Sequence, residues 1–237
     1  MNHNQEDIRF LIRLYHELSR FQESLHYIEI LSVDYPCFSF EDLNLMTVVV
    51  KEAVDPLRHT IRTLNSYYNN EIEDNNPEKS SAIREHQQKF ENELLSICHK
   101  VISIIDDRIF PNTPNSLLER AYCYKIIGDM NRYIIESHDI SEIEKAKIDG
   151  EKAYEESIKI YSHELSVYSP INLHVILNYS VFIFEHLGKK EKAIEILQNA
   201  LDYGIPSIEE LNIDAEEYNQ IISALSVMKT NLISWKS

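Results

Sequence analysis

An all-α fold is the class this sequence predicts, and three observations carry that expectation. Glycine occurs 4 times in 237 residues, far below an average usage of roughly 7%. Dinucleotide folds, P-loops and all-β barrels need glycines for tight turns and close phosphate approach, so the shortage argues against all three. Helix-start signals recur along the chain, and between them the apolar residues step by three and four.

In chain order, two short helices are predicted over 4–18 and 20–34. Ser39-Phe40-Glu41-Asp42, just after Pro36, starts a third over 39–70. Tyr68 to Asn76, rich in asparagine and acids, predicts a loop. Asn76-Pro77 reads as an N-cap followed by proline at the first helical position. It opens a helix over 77–110, along which Phe90, Leu94, Ile97, Cys98, Val101, Ile102 and Ile105 recur at helical steps. Thr113-Pro114 opens 114–137 in the same way. Ser141 to Glu144 reads as a capping box opening 141–166. Ser169-Pro170 opens 170–187, apolar almost all round from Val175 to Phe184, as a buried central helix is. Gly188 reads as a stop, and Ala193, Ile194, Leu197, Ala200 and Leu201 mark a helix over 189–203. Gly204 reads as a second stop with a loop to Ser207, where another capping box, Ser207 to Glu210, opens 208–235. The expectation is nine antiparallel helices in one domain over 1–237.

Apolar residues make up 43% and charged residues 26% of the chain, a globular composition. The net charge of −16 repels nucleic-acid backbone and anionic membranes as broad-surface partners. It leaves room for a local basic pocket. The opening Met-Asn-His-Asn-Gln-Glu-Asp has no basic or apolar leader, and no apolar run is long enough to span a bilayer. Cys37, Cys98 and Cys123 are odd in number and widely spaced. That predicts packing thiols in a reducing, cytoplasmic setting rather than a disulfide framework or zinc site.

Enzyme signatures are missing. There is no Gly-x-Gly-x-x-Gly, Walker loop, Cys-x-x-Cys or Gly-x-Ser-x-Gly. His16-Glu17 and His163-Glu164 each start like a zinc-protease motif but lack the second histidine. Asp106-Asp107 and Glu155-Glu156 are adjacent on helices and point to different faces. No enzyme, metal or cofactor is expected. Leu177 to Pro206 looks like one tetratricopeptide unit and Tyr124 to Glu136 like a faint second. They lie about sixty residues apart with no third copy, where a repeat array needs a period of about 34 residues and at least three copies. A helical-repeat scaffold binding unphosphorylated partners is therefore the alternative reading.

The candidate site is a basic constellation in an acidic chain. Lys51, Arg58 and Arg62 are spaced by seven and four residues, which puts them on one face of the third helix. Arg132-Tyr133, with Lys125 seven residues earlier, gives a second basic face. Two or three cations and a phenol are what a phosphate dianion needs. Guanidinium groups bind its oxygens pairwise, lysine adds charge, and the hydroxyl donates one more hydrogen bond. The bland reading is arginines paired with surface carboxylates.

The order of the pieces tips that balance. Gly128-Asp-Met-Asn-Arg-Tyr-Ile-Ile-Glu136 resembles the Lys-Gly-Asp-x-x-Arg-Tyr-Leu-Ala-Glu segment of the 14-3-3 family. Leu177-Asn-Tyr-Ser-Val-Phe-Ile-Phe-Glu185 resembles its Leu-Asn-Phe-Ser-Val-Phe-x-x-Glu segment. Tyr218 to Trp235 keeps the spacing of the family's last helix, and Arg84-Glu85-His86 through Cys98 looks like its fourth. The resemblance implies nine helices packed somewhat as in tetratricopeptide arrays. It implies a dimeric adaptor that binds phosphoserine or phosphothreonine segments of client proteins in an amphipathic groove. The dimerisation half and phosphate helix would be 1–110, the groove half 114–237.

Carried over by motif, Lys51, Arg58, Arg132 and Tyr133 would hold the phosphate. Asn178 and Asn231 would bond the peptide backbone. Leu177, Val181 and Val227 would form the apolar wall with Trp235 at its end, and Lys125, Glu185 and Arg62 would support the site. Dimerisation, as a homodimer or with a related chain, would use Leu11, Leu14 and Phe21. Arg20 would face Glu93 of the partner subunit and Glu23 would face Lys89 of the partner subunit, with His86 near them in place of tyrosine.

The chain also departs from the pattern. The third-helix signature is largely replaced over Asp42 to Lys51. Asp55-Pro56 stands where the family has small residues. His174 replaces glycine, Ser234 leucine, and Lys229-Thr230 an Arg-Asp pair. Pro56 is expected to kink the third helix with Lys51 kept in the site, or to break it so that Lys51 leaves. A degenerate member that dimerises with weakened or altered ligand binding is the remaining alternative.

Overall fold

Some helices begin where a side chain supplies the acceptor that the first backbone N–H groups lack. Asn4 accepts from the backbone of Asp7 and Ser39 from that of Asp42, and each partner carboxylate reaches back to complete a capping box. The computed structural model describes residues 4–113, 116–137, 140–165, 169–207 and 214–236, with the backbone alone over 203–207.

Among the described residues there are nine helices and no strand. They are α1 (Gln5–Glu17), α2 (Phe21–Asp34), α3 (Phe40–Glu73), α4 (Pro77–Ile104), α5 (Leu117–Ile134), α6 (Ile140–Glu164), α7 (Pro170–Glu185), α8 (Lys190–Ser207) and α9 (Ala215–Lys236). The fourth continues through a π turn, Ile105–Ile109, and a last turn, Phe110–Asn112. The packing is mostly between neighbours in sequence: α1 on α2, α3 on α4, α5 on α6, α7 on α8, with α9 returning onto α7 and α8. The all-α expectation holds, and so do most helix starts.

Several expectations are corrected. Tyr68 to Asn76 is not a loop: α3 runs to Glu73, and the chain turns at Asn75, whose φ is 59°. Asparagine tolerates that left-handed conformation. Asn76 makes no cap bond; its amide donates to Glu71 Oε2 at 2.9 Å instead. Helix α5 opens after Ser116, not at Thr113, whose Oγ1 donates back to the Ile109 carbonyl and closes the preceding helix. Pro114 lies outside the described residues. Ser141 is inside the first turn of α6 rather than at its cap. Gly188, at φ +66°, is the stop it was read as. Gly204 is not, because α8 continues to Ser207. The box from Ser207 to Glu210 extends outside the described residues. Cys98 and Cys123 are buried, and burial pushes both thiols up to about 12. Cys37 is exposed, not the buried packing thiol expected.

Pro56 does not break α3. The helix is continuous from Phe40 to Glu73. Its ring is on the exposed side, while Val54 and Leu57 are buried on either side of it. That burial offsets the roughly 3 kcal/mol a mid-helix proline costs.

Asp42, the first residue of the stretch that departs from the expected pattern, joins two helices. Asp42 is buried, and its two oxygens take Arg9 Nε and Nη2 of α1, both at 2.7 Å. Burial pushes this carboxyl up, but the bonds from Arg9 and Ser39 outweigh that and hold it below the usual carboxylate range. One residue thus caps α3 and ties it to α1.

The site depends on close contacts of α5, α6 and α7. Gly128 lies against the ring of Tyr154, and Gly150 against Phe182 and Asn131. A Cβ on Gly128 would sit 2.8 Å from the Tyr154 ring, and Tyr154 is completely buried. Alanine there gains about 1 kcal/mol of helix propensity but forces an overpacked ring to move, at about 1–3 kcal/mol. Gly128→Ala is expected to lower stability by up to about 2 kcal/mol in urea melts; raised stability would show that the ring has room to move.

Candidate phosphate groove

Helix α5 supplies the charged floor of a groove shared with α3, α7 and α9. Lys125, Asp129 and Arg132 are four and three residues apart, so one face carries all three. Asp129 is buried and serves each of them. Its Oδ2 takes Lys125 Nζ at 2.7 Å, and its Oδ1 lies 3.6 Å from Arg132 Nη2. The same Oδ1 accepts from the Tyr154 hydroxyl at 2.6 Å and from the Asn178 amide at 3.0 Å. Burial pushes this carboxyl up, but the neighbouring charges of Lys125 and Arg132 and the bonds from Lys125 and Tyr154 hold it below the usual range. Burial likewise lowers Lys125, and Asp129 more than restores it. Both stay charged.

Tyr133 lies between two guanidinium groups. The Arg58 Cζ is 4.1 Å from its ring centroid and the Arg132 Cζ 4.8 Å. Such stacking suits arginine. Arg132 Nη2 donates to the Tyr133 hydroxyl oxygen at 3.4 Å, which leaves the hydroxyl proton available. Burial and Asp129 raise this phenol, so it remains a donor. Arg132 Nε is buried and finds no acceptor among the described residues. Lys51 is exposed and makes no ion pair among them.

The groove has a volume of about 790 Å³. Lys51, Lys125, Arg132, Tyr133 and Asn178 all line it, together with Phe40 and Val50 of α3, His174 of α7 and Glu217 of α9. The unbroken third helix keeps Lys51 there, which rules out its loss by a break at Pro56. Lys51 and Arg132, 81 positions apart in sequence, thus face one space.

Arg58 and Arg62 do not line it. Arg58 sits behind Tyr133, with Nε and Nη2 on Glu136 Oε1 at 3.0 and 2.7 Å and Nη1 on Asp55 Oδ1 at 2.9 Å. Arg62 reaches the same Glu136 oxygen at 2.7 Å. Burial pushes Glu136 up, but the bond and charge of Arg58 dominate, so it stays ionised below the usual range. Five cations (Lys51, Arg58, Arg62, Lys125, Arg132) gather on α3 and α5 with three carboxylates among them (Asp55, Asp129, Glu136), while Asp214, Glu216 and Glu217 line the groove on its α9 side. Asp129, Glu136 and Tyr154 were not singled out in the sequence. The spacing of Asp129 from Lys125 and Arg132 could have found it; Tyr154 had no such signal.

The other expected residues lie away from this floor. Leu177 packs half-buried against the cluster of Leu173, Leu197 and Met228. Val181 is half-buried, Val227 exposed and Asn231 half-exposed, and none lines the groove. Trp235 stacks on Phe184, with centroids 4.1 Å apart and planes 8° apart. Glu185 is exposed, 3.9 Å from His186 Nε2. At the other end of the chain, Leu11, Leu14 and Phe21 are half-buried beside exposed Phe10 and Leu18. Arg20 pairs with Glu23 of its own chain, and Gln22 donates to Glu93 at 3.2 Å. His86 and Lys89 are exposed.

The family model described as 14-3-3 protein matches residues 11–236. The chain belongs to the 14-3-3 family. It is 28% identical to a 14-3-3 protein homolog of Trichoderma harzianum, over 98% of this chain and 87% of that one. It is 28% identical to the 14-3-3-like protein GF14 omicron of Arabidopsis thaliana, over 96% and 89%. It is 27% identical to the checkpoint signal transducer rad25 of Schizosaccharomyces pombe, over 100% and 87%. Membership in the 14-3-3 family supports a phosphopeptide-binding adaptor and not an enzyme. No described helix of this 14-3-3 chain is long and apolar enough to cross a membrane.

Asp129→Asn keeps the size of the central carboxylate and removes its charge. Losing one partner of a buried pair costs about 3–5 kcal/mol. Because Asp129 is held below the ordinary carboxylate value, its contribution is present at neutral pH and disappears as pH falls through its lowered value. Urea melts are expected to show a deficit of about 3 kcal/mol at pH 7 that narrows in acid. A deficit independent of pH would contradict the charge argument.

Proposed function

We propose that this protein is a dimeric adaptor that binds phosphoserine- or phosphothreonine-containing segments of client proteins in the groove floored by α5. The observation that carries the reading is Arg132. Its partly buried guanidinium faces the groove: Nη2 lies 3.4 Å from the Tyr133 oxygen and 3.6 Å from Asp129, Tyr154 also bonds the group, and Nε has no acceptor among the described residues. Buried donors are normally satisfied. A phosphate dianion in the groove would supply the missing acceptor, and Lys51, Lys125 and Arg132 bring positive charge to the same space.

In this reading Lys51, Arg132 and the Tyr133 hydroxyl bind the phosphate, with Arg58 reaching in beside them. Lys125 and Arg62 hold the field, and Asn178, fixed through Asp129, offers its amide oxygen to an extended ligand backbone. Asn231, Leu177, Val181, Val227, Trp235 and Glu185 would meet the ligand beyond the phosphate. Exposed Phe10 and Leu18 beside Leu11, Leu14 and Phe21 support a dimer face in the 1–110 half. The pairing of Arg20 with its own Glu23 means that the charges across that face must exchange partners to bridge it.

Titration of a fluorescent Arg-Ser-x-pSer-x-Pro peptide against its unphosphorylated twin tests the proposal, with light scattering run alongside. A dimer at micromolar concentration that discriminates strongly for phosphate is expected. Arg132→Ala should weaken binding by more than tenfold, and exposed Lys51→Ala by about fivefold. Equal binding of the two peptides, or wild-type affinity in both variants, would overturn the phosphate assignment, and a monomer would remove the dimer.

A further inference from the structure

Arg58 carries five N–H donors, and three are already committed inside the protein. Two go to Glu136, which is nine-tenths buried and also held by Arg62. The third goes to Asp55, one turn back on the same helix, at 2.9 Å. The two carboxylates differ in a decisive way. The Glu136 side chain is 10% exposed and fixed from two sides, whereas Asp55 is 44% exposed and bonds only Arg58 among the described residues. Only Asp55 is free to swing away.

We propose that Asp55 is a resident competitor for the ligand's phosphate, holding Arg58 back from the groove until a stronger anion displaces it. The inference rests on the phosphate reading above and adds a threshold to it. A single carboxylate from a client offers Arg58 no more charge than Asp55 already supplies, so exchange brings no gain. A phosphate dianion supplies about twice the charge and three acceptor oxygens, so exchange is favourable. Asp55 therefore sharpens the discrimination of phosphorylated segments from merely acidic ones. It does so at the expense of absolute affinity.

The test uses the full chain, wild type and Asp55→Asn, with three versions of the peptide used above: phosphoserine, glutamate and serine at the central position. The substitution is nearly isosteric at a half-exposed site, and circular dichroism checks that the fold is kept. Asp55→Asn is expected to bind the phosphoserine peptide about three- to fivefold more tightly, the scale of a partly exposed ion pair. It should bind the glutamate peptide more tightly by at least the same factor, narrowing the gap between the two. If wild type prefers phosphoserine over serine but Asp55→Asn binds no tighter, Asp55 positions Arg58 instead of competing with the ligand. The inference then fails while the phosphate reading stands. If neither protein prefers phosphoserine over serine, both fail together.

Discussion

One buried carboxylate organises the groove. Asp129 has hydrogen-bond or ion-pair distances to Lys125, Tyr154 and Asn178 and lies within 3.6 Å of Arg132. Those four residues come from three helices, so the orientation of α5, α6 and α7 about one another is set at this point. A charge in such a position is expensive to bury and is tolerated only when each oxygen is satisfied. Asp129 meets that condition, and the cations it holds remain charged and turned toward the groove.

The close approach of the helices follows from the same requirement. Tyr154 can reach Asp129 because Gly128 presents no Cβ to its ring, and Gly150 leaves room for Phe182 on the next helix. Two of the chain's four glycines are therefore spent on helix packing beside the site and not on turns. At the other wall, Asp42 is cap and cross-helix tie at once, anchoring the start of α3 to Arg9. Lys51, nine residues further on, inherits its position from that anchor. Pro56, whose ring lies on the exposed side, does not interrupt the helix that carries it.

The helices themselves were legible in the residues. The caps at Ser39 and Ser169, the proline at position 77 and the stop at Gly188 act locally, and local chemistry can be read along a chain. Misreadings came where a local preference met tertiary packing. Tyr68 to Asn76 is polar enough for a loop yet extends α3 by another turn. Gly204 lies inside a helix that continues past it. In the site, Lys51, Lys125, Arg132 and Tyr133 were found from helical spacing and motif order, and they share one groove. The retreat of Arg58 behind Tyr133 was not legible, because it depends on Glu136 from α5's C-terminal end and on Asp55 filling the same donors. Tyr154 was invisible for a similar reason: only the packing of α6 on Gly128 shows what its hydroxyl reaches.

The central claim is that Lys51 of α3 and Arg132 and Tyr133 of α5 together seat a phosphate dianion. Phosphorus-31 NMR of a stoichiometrically bound phosphoserine peptide, followed against pH, tests it most directly. The free phosphoserine dianion takes up its first proton at about pH 6. Seated among Lys51, Arg132 and Tyr133, the phosphate should keep its double charge to lower pH, moving that midpoint down by about one unit or more. A midpoint that stays at the free-peptide value while the peptide is bound would contradict the account, because the phosphate would then lie outside the field of these cations.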